Sequence, residues 1–120
     1  MEIDIRGILL TQKVNLQWLK DLSPQHFEDF IKFVIYPEQE NVFIGMQIHS
    51  HANGLLDGKE STRQKLYGGN LFYDGHVEWE SGLNVFHNER LNLTPSNFRF
   101  IEDKETLICL NKILNKWIDL

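Results

Sequence analysis

The stretch Val42-Phe43-Ile44-Gly45-Met46-Gln47-Ile48-His49-Ser50 carries the clearest two-residue alternation in the chain. In an extended strand, successive side chains point to opposite faces of the sheet. One face of this segment would be aliphatic: Val42, Ile44, Met46, Ile48. The other face would present Phe43, Gly45, Gln47, His49 and, if the strand continues, His51. We therefore predict a strand whose aliphatic face is buried and whose polar face is available for function.

A hairpin is predicted downstream of this strand. The strand-like runs Leu66–Tyr73 and His76–Phe86 are separated by Asp74-Gly75. Asp-Gly between two such runs favours a two-residue type I′ turn. That turn would place Asn70 opposite Trp79 on the neighbouring strand.

Upstream, the sequence predicts two more strands and a helical region. Residues 1–10 alternate in polarity, and Lys32–Tyr36 is a β-branched and aromatic run that ends at Pro37. Between them, Asn15 is expected to cap the first of two short helical pieces, which span roughly 15–31.

The C-terminal segment Asp103–Leu120 has the pattern of an amphipathic helix. Its apolar residues recur at helical spacing: Leu107, Leu110, Ile113, Leu114, Trp117, Ile118. We therefore predict one α+β domain over residues 1–120. In it, a largely antiparallel β-meander and hairpin sheet packs against N-terminal helical segments and the C-terminal amphipathic helix.

Composition bounds the class of protein. The 120 residues are 42% hydrophobic and 24% charged, which is typical of a globular domain. Lys and Arg number 12 against 17 Asp and Glu, a net charge of −5 without any basic run, which argues against nucleic-acid binding. No apolar run approaches the roughly 20 residues of a membrane span, so no membrane partner is expected. The first residues lack a basic, apolar leader, so the cytoplasm is the expected location.

His49 and His51 are the most suggestive pair for chemistry. Two residues apart on a strand, both imidazoles would reach one metal ion. A third ligand would have to come from elsewhere in the chain: His76, His87 or Glu80. Glu80 also pairs with Glu78 as a candidate acid–base couple. Because two histidines and two acids occur readily on a solvated strand face, we predict no metal or cofactor and keep His49 and His51 only as weak metal candidates.

Three further features are predicted to be structural. Cys109 lies in an apolar helical stretch, where a buried thiol is expected. Gly68-Gly69 inside a strand predicts a bulge or a close approach by a neighbouring group. Asn70 falls on the expected apolar face, so its amide should bridge strands or belong to a site.

From Phe30 onward the chain resembles a bacterial family of short proteins of unknown function. Members carry a strand like IGGELHAD and later stretches like ENLWGINLY and IEYDSLINI. The corresponding residues here are Ile44–His51, Gln64–Phe72 and Val77–Val85. The resemblance implies the same short α+β fold and a polar cluster: His49, Asn70, Ser81, Asn84. The acids that flank the histidine in the family are Gln47 and His51 here, so acidic chemistry is not expected to carry over.

These features favour a non-enzymatic protein- or ligand-binding module. Its acidic balance suits a basic protein partner, as in an antitoxin or immunity protein, and self-association through sheet edges is a further expectation. The alternative is a small hydrolase or metal-dependent enzyme built on His49, His51 and a nearby acid. The candidate binding residues are Gln47, His49, His51, Asn70, Glu80 and Asn84.

Overall fold

Strand β3, Phe30–Tyr36, lies at the centre of the sheet. In this computed structural model the described residues are 7–22, 29–46, 48–80, 82–91, 101 and 103–120. The β-branched and aromatic side chains of β3 favour an extended conformation and fill both faces of the sheet. The strand ends where Pro37 begins a short 3-10 helix, as the sequence predicts.

Four further strands complete a sheet in which every described pairing is antiparallel, in the order β1-β4-β3-β5-β6. Val34 sets the register at its centre, with Phe43 opposite on one side and Gly68 on the other. The bounds of the outer strands are β1 Ile8–Leu9, β4 Asn41–Ile44, β5 Tyr67–Phe72 and β6 Val77–Glu78.

Helices cover both faces of the sheet. On one face, α1 (Leu16–Leu22) and α4 (Lys104–Trp117) bury Leu19, Leu110 and Leu114 against alternate residues of β3 such as Phe33. On the other face, Ala52 of a 3-10 helix packs against the cluster of Val34. The helical segments are α1 Leu16–Leu22, the 3-10 helix His49–Leu55, α2 Glu60–Arg63, α3 Asn84–Arg90 and α4 Lys104–Trp117.

Side-chain caps fix the start of α1 and α4. The Asn15 Oδ1 accepts a hydrogen bond from the Trp18 backbone N–H at 2.8 Å, which confirms the predicted cap. The Asp103 carboxylate accepts one from the Thr106 backbone N–H at 3.0 Å. After α4, β7 (Ile118–Asp119) pairs in parallel with β2 (Val14–Asn15) and ties the C-terminal end of the helix to the N-terminal part of the chain.

The predicted strand over 42–50 is wrong in its second half. Strand β4 ends at Ile44, because Gly45 has a φ of +83° and leaves the extended conformation. His49 and His51 then lie in a 3-10 helix. With about three residues per turn, residues two apart point in different directions, so the two imidazoles do not share a face.

The hairpin exists, but its register differs from the prediction by one residue. The loop has three residues, Tyr73 to Gly75, because the Gly75 N–H bonds to the Phe72 carbonyl at 2.9 Å and Gly75 has a φ of +100°. This is the type I turn with a glycine bulge that three-residue hairpin loops favour. Asn70 therefore lies opposite Glu78 rather than Trp79.

Two predicted element types are also corrected. The second hairpin strand was expected to reach Phe86, but Asn84–Arg90 is helical. The buried side of this helix includes the polar residues Asn84 and His87. Apolar residues therefore do not recur at helical spacing in this segment, and the hydropathy pattern did not indicate a helix. Phe30 and Ile31 belong to β3 rather than to a helix, because they pair with β5. The rest of the predicted second helical piece, residues 23–28, lies outside the described residues, as does most of the first predicted strand.

The architecture confirms the predicted α+β class, with an antiparallel sheet, an N-terminal helix and a C-terminal amphipathic helix. Within the part of the chain that the structure describes, no helix has the length and apolar character needed to cross a bilayer.

Candidate functional site

His49 is held as a buried, neutral imidazole. Its side chain is 7% exposed, and its Nε2–H donates a hydrogen bond to the Gly69 carbonyl at 2.7 Å. Burial and, to a smaller extent, the positive charge of Lys32 lower the pKa of His49 to about 4, against the bond to Gly69, which raises it. This hydrogen bond therefore connects the 3-10 helix to strand β5.

Three of the residues singled out by the sequence gather around Lys32, and we call Lys32, His49, Asn70 and Glu80 the Lys32 group. Asn70 lies opposite Lys32 in the sheet, and its Oδ1 accepts a long, 3.5 Å hydrogen bond from the ammonium. Burial lowers the pKa of Lys32, while the charge of Glu80 opposes that change. The group is thus a partly buried polar cluster, with charges on Lys32 and Glu80, that connects β3, β5 and the 3-10 helix.

The remaining predicted site residues fall elsewhere. Asn84 is fully buried at the start of α3, where its Oδ1 accepts a hydrogen bond from the Gly68 N–H at 3.2 Å. His51 is partly buried in the 3-10 helix. Gln47 and Ser81 lie outside the described residues. Among the residues that the structure describes, no group of three or more histidine, cysteine or acidic side chains has the arrangement to hold a metal ion.

Gly69 fulfils the prediction of a close approach. A Cβ at this position would meet the Phe33 ring at 2.6 Å and the Glu78 carbonyl oxygen at 2.7 Å. The Phe33 ring lies over the glycine and makes an edge contact with Trp79, with centroids 5.1 Å apart. The glycine is therefore needed for packing.

A cleft of about 530 Å³ opens at the end of the sheet where β3 stops and β5 begins. Clefts of this size are typical of small-ligand sites. We call it the Tyr67 cleft; its walls are Pro37, Glu38, Ser61, Gln64, Lys65, Tyr67 and Arg90.

Arg90 is fixed at the wall of this cleft by two uncharged acceptors. Its Nη1 donates to the Gln64 carbonyl at 2.6 Å, and its Nη2 donates to the Tyr67 hydroxyl at 3.0 Å. The other cation of the cleft, Lys65, pairs with Glu38 at 3.1 Å. Among the described residues no carboxylate forms a salt bridge with Arg90, so its positive charge is available to an anion.

A second, smaller cavity of about 320 Å³ shares Pro37 and Tyr67 with the Tyr67 cleft. It lies against the first turns of α4 and is lined by Asp103 and Cys109. Cys109 is exposed there, so the prediction of a buried thiol is wrong. The thiol lies on the outer side of the amphipathic helix, away from the stripe of Leu110 and Leu114.

The residues of the Tyr67 cleft were missed by the sequence analysis because no short motif connects them. Arg90 meets Gln64 and Tyr67 across sequence separations of 26 and 23 residues. The one local signal is the spacing of His87 and Arg90, which places both side chains on one side of a helix. That signal is readable only once α3 is known to be helical.

The chain matches no family model, no curated protein and no solved structure. The resemblance described above therefore stays a prediction, and function has to be argued from the geometry.

Proposed function

We propose that this protein is a non-enzymatic ligand-binding module whose Tyr67 cleft receives a small anionic ligand. The observation that carries the proposal is the Arg90 guanidinium, which is held at the cleft wall by the Gln64 carbonyl and the Tyr67 hydroxyl. A guanidinium fixed before binding loses little side-chain entropy on binding, and its remaining N–H groups suit a carboxylate, phosphate or sulfonate.

The rest of the cleft supports a small organic anion rather than a polyanion. The ring surfaces of Tyr67 and Pro37 supply apolar contact area, and Ser61 and Gln64 supply polar groups. The net charge of −5 over the whole chain repels an extended phosphate backbone but leaves a local Arg–anion contact intact.

The hydrolase alternative receives less support. It requires His49 and His51 to act together on one reacting centre. The Nε2–H of His49 is bonded to the Gly69 carbonyl, and its imidazole is buried. A basic protein partner, self-association and a cytoplasmic location remain predictions, and no specific contact among the described residues favours one of them.

Arg90→Gln is expected to weaken binding of benzenesulfonate at least tenfold, because a hydrogen bond to a charged group contributes about 1.5–3 kcal/mol. Benzenesulfonate stays ionised at all working pH values, and benzenesulfonamide is its neutral analogue of similar shape. We expect the sulfonate to bind the wild-type protein with a millimolar dissociation constant in an NMR titration of the backbone amides, and the sulfonamide to bind much more weakly.

Lys112→Gln is the matched control, because it removes an exposed cation from α4 outside the cleft. It should bind the sulfonate as the wild-type protein does. Equal affinity of the wild-type and Arg90→Gln proteins, or equal affinity for sulfonate and sulfonamide, would show that the cleft is not an anion site.

A further inference from the structure

His87 lies behind the Tyr67 hydroxyl, on the side away from solvent. Its side chain is 5% exposed, and its Nδ1 is 3.0 Å from the Tyr67 hydroxyl oxygen. The two rings meet edge-on, with centroids 5.1 Å apart and planes at 66°. Because His87 and Arg90 are three residues apart on α3, both side chains reach the same hydroxyl.

The direction of each hydrogen bond follows from the chemistry of the three groups. A guanidinium only donates, so the Tyr67 oxygen accepts from Arg90. The single phenolic proton is then left to be donated to His87 Nδ1, and the neutral imidazole carries its own proton on Nε2. In the other tautomer Nδ1–H would donate to the Tyr67 oxygen, and the phenolic proton would have no acceptor among the described residues, so we assign the imidazole proton to Nε2.

The opposite side of the imidazole gives a second, independent observation. The Nε2 atom of His87 is buried and has no hydrogen-bond partner among the described residues. A buried polar atom without a partner is unfavourable, and an apolar side chain of similar size would avoid it. The only hydrogen bond that the His87 side chain makes within the described part of the chain is the one to Tyr67.

We propose that His87 is a positioning residue for the anion site, which accepts the Tyr67 proton at Nδ1 and so orients the hydroxyl oxygen to hold Arg90 at the cleft wall. This inference rests on the proposed function and adds to it a requirement for a neutral imidazole. A protonated ring has no acceptor at Nδ1, and it would place a second cation beside Arg90.

Three charged or titratable groups surround His87. Tyr67 faces it from β5, Arg90 from α3 and Asp103 from the N-cap of α4. Burial and the charge of Arg90 lower the pKa of His87 below 6.5, against the carboxylate of Asp103. The ring is therefore neutral at pH 7. Its protonation in acid removes the Nδ1 acceptor and adds a positive charge beside the cleft, so anion affinity should change with pH through this ring.

His87→Asn and His87→Leu separate positioning from packing. The Asn Oδ1 takes the place of Nδ1 as an acceptor but does not titrate, whereas Leu fills the space and accepts nothing. We expect Leu to weaken benzenesulfonate binding at pH 7.5 by about threefold to tenfold and Asn to restore most of the affinity. The affinity of the wild-type protein for benzenesulfonate should change on acidification as His87 is protonated, and this change should be absent from both variants.

The outcomes for this inference and for the proposed function are distinguishable. If all three proteins bind the sulfonate equally and with the same pH profile, the positioning role is overturned while the anion site stands. If the sulfonate does not bind at all, the proposed function fails. A ligand-free test then remains: ¹⁵N chemical shifts of the His87 ring should show a proton on Nε2, and a proton on Nδ1 would refute the inference.

Discussion

Gly69→Ala is expected to lower the free energy of unfolding by about 3 kcal/mol, at the upper end of what overpacking a core costs. The added Cβ would lie 2.6 Å from the Phe33 ring and 2.7 Å from the Glu78 carbonyl oxygen. Phe33 is fully buried against Trp79, and the Glu78 carbonyl belongs to the strand paired with β5. Neither neighbour is the free end of a flexible side chain, so the strain is not easily relieved.

The measurement for Gly69 is equilibrium unfolding in urea, with Gly82→Ala as the matched control. A Cβ at Gly82 would meet nothing within 4 Å, so this second variant should be as stable as the wild-type protein or slightly more stable. If Gly69→Ala and Gly82→Ala have the same stability, the close packing of Phe33 over β5 is not as described.

Stability is expected to fall by about 3 kcal/mol between about pH 6.5 and 4 because of His49 alone. The unfolded imidazole takes up a proton near pH 6.5, whereas burial lowers the pKa of the folded one to about 4. Over that interval the unfolded state binds more protons, so acid favours unfolding. Below about pH 4 both states are protonated and this contribution no longer changes.

The experiment compares the pH dependence of unfolding for the wild-type protein and His49→Gln. Glutamine at 49 keeps a donor for the Gly69 carbonyl but does not titrate, so its stability should depend less steeply on pH. An NMR titration of the His49 ring gives a direct check: protonation near pH 6.5 in the folded protein would contradict its burial.

Local sequence signals predicted the elements whose ends are fixed by local chemistry. Asn15 caps α1 through its own side chain, Pro37 ends β3, and the apolar spacing after Asp103 identifies α4. In each case one residue satisfies or removes backbone hydrogen bonds near it in sequence. Such effects do not depend on the rest of the fold.

The predictions of strand ends and hairpin register were wrong where a glycine conformation or a tertiary contact determines the local structure. Apolar residues do alternate in the sequence from Val42 to Ile48, but Gly45, with a φ of +83°, ends the strand within this segment. Gly75 at φ +100° adds a third residue to the hairpin loop, which shifts the opposing strand by one residue. The backbone angle of neither glycine can be predicted from the sequence alone.

The sequence predicted only part of the candidate site, because tertiary contacts bring its residues together. His49, Asn70 and Glu80 were singled out and do come together, but Lys32, around which they gather, was read as an ordinary strand residue. The Tyr67 cleft depends on contacts between residues more than 20 positions apart. Pairwise contacts at that range are set by topology, which one sequence does not reveal.

The central claim, that the Tyr67 cleft binds a small anion through Arg90, is tested most directly by locating the bound probe. An isotope-filtered NOE experiment on labelled protein with excess benzenesulfonate reports which protein protons lie within about 5 Å of the aryl ring. We predict contacts to the ring protons of Tyr67 and Pro37 that disappear in Arg90→Gln. Contacts confined to residues outside the cleft, or contacts that persist unchanged in Arg90→Gln, would contradict the account.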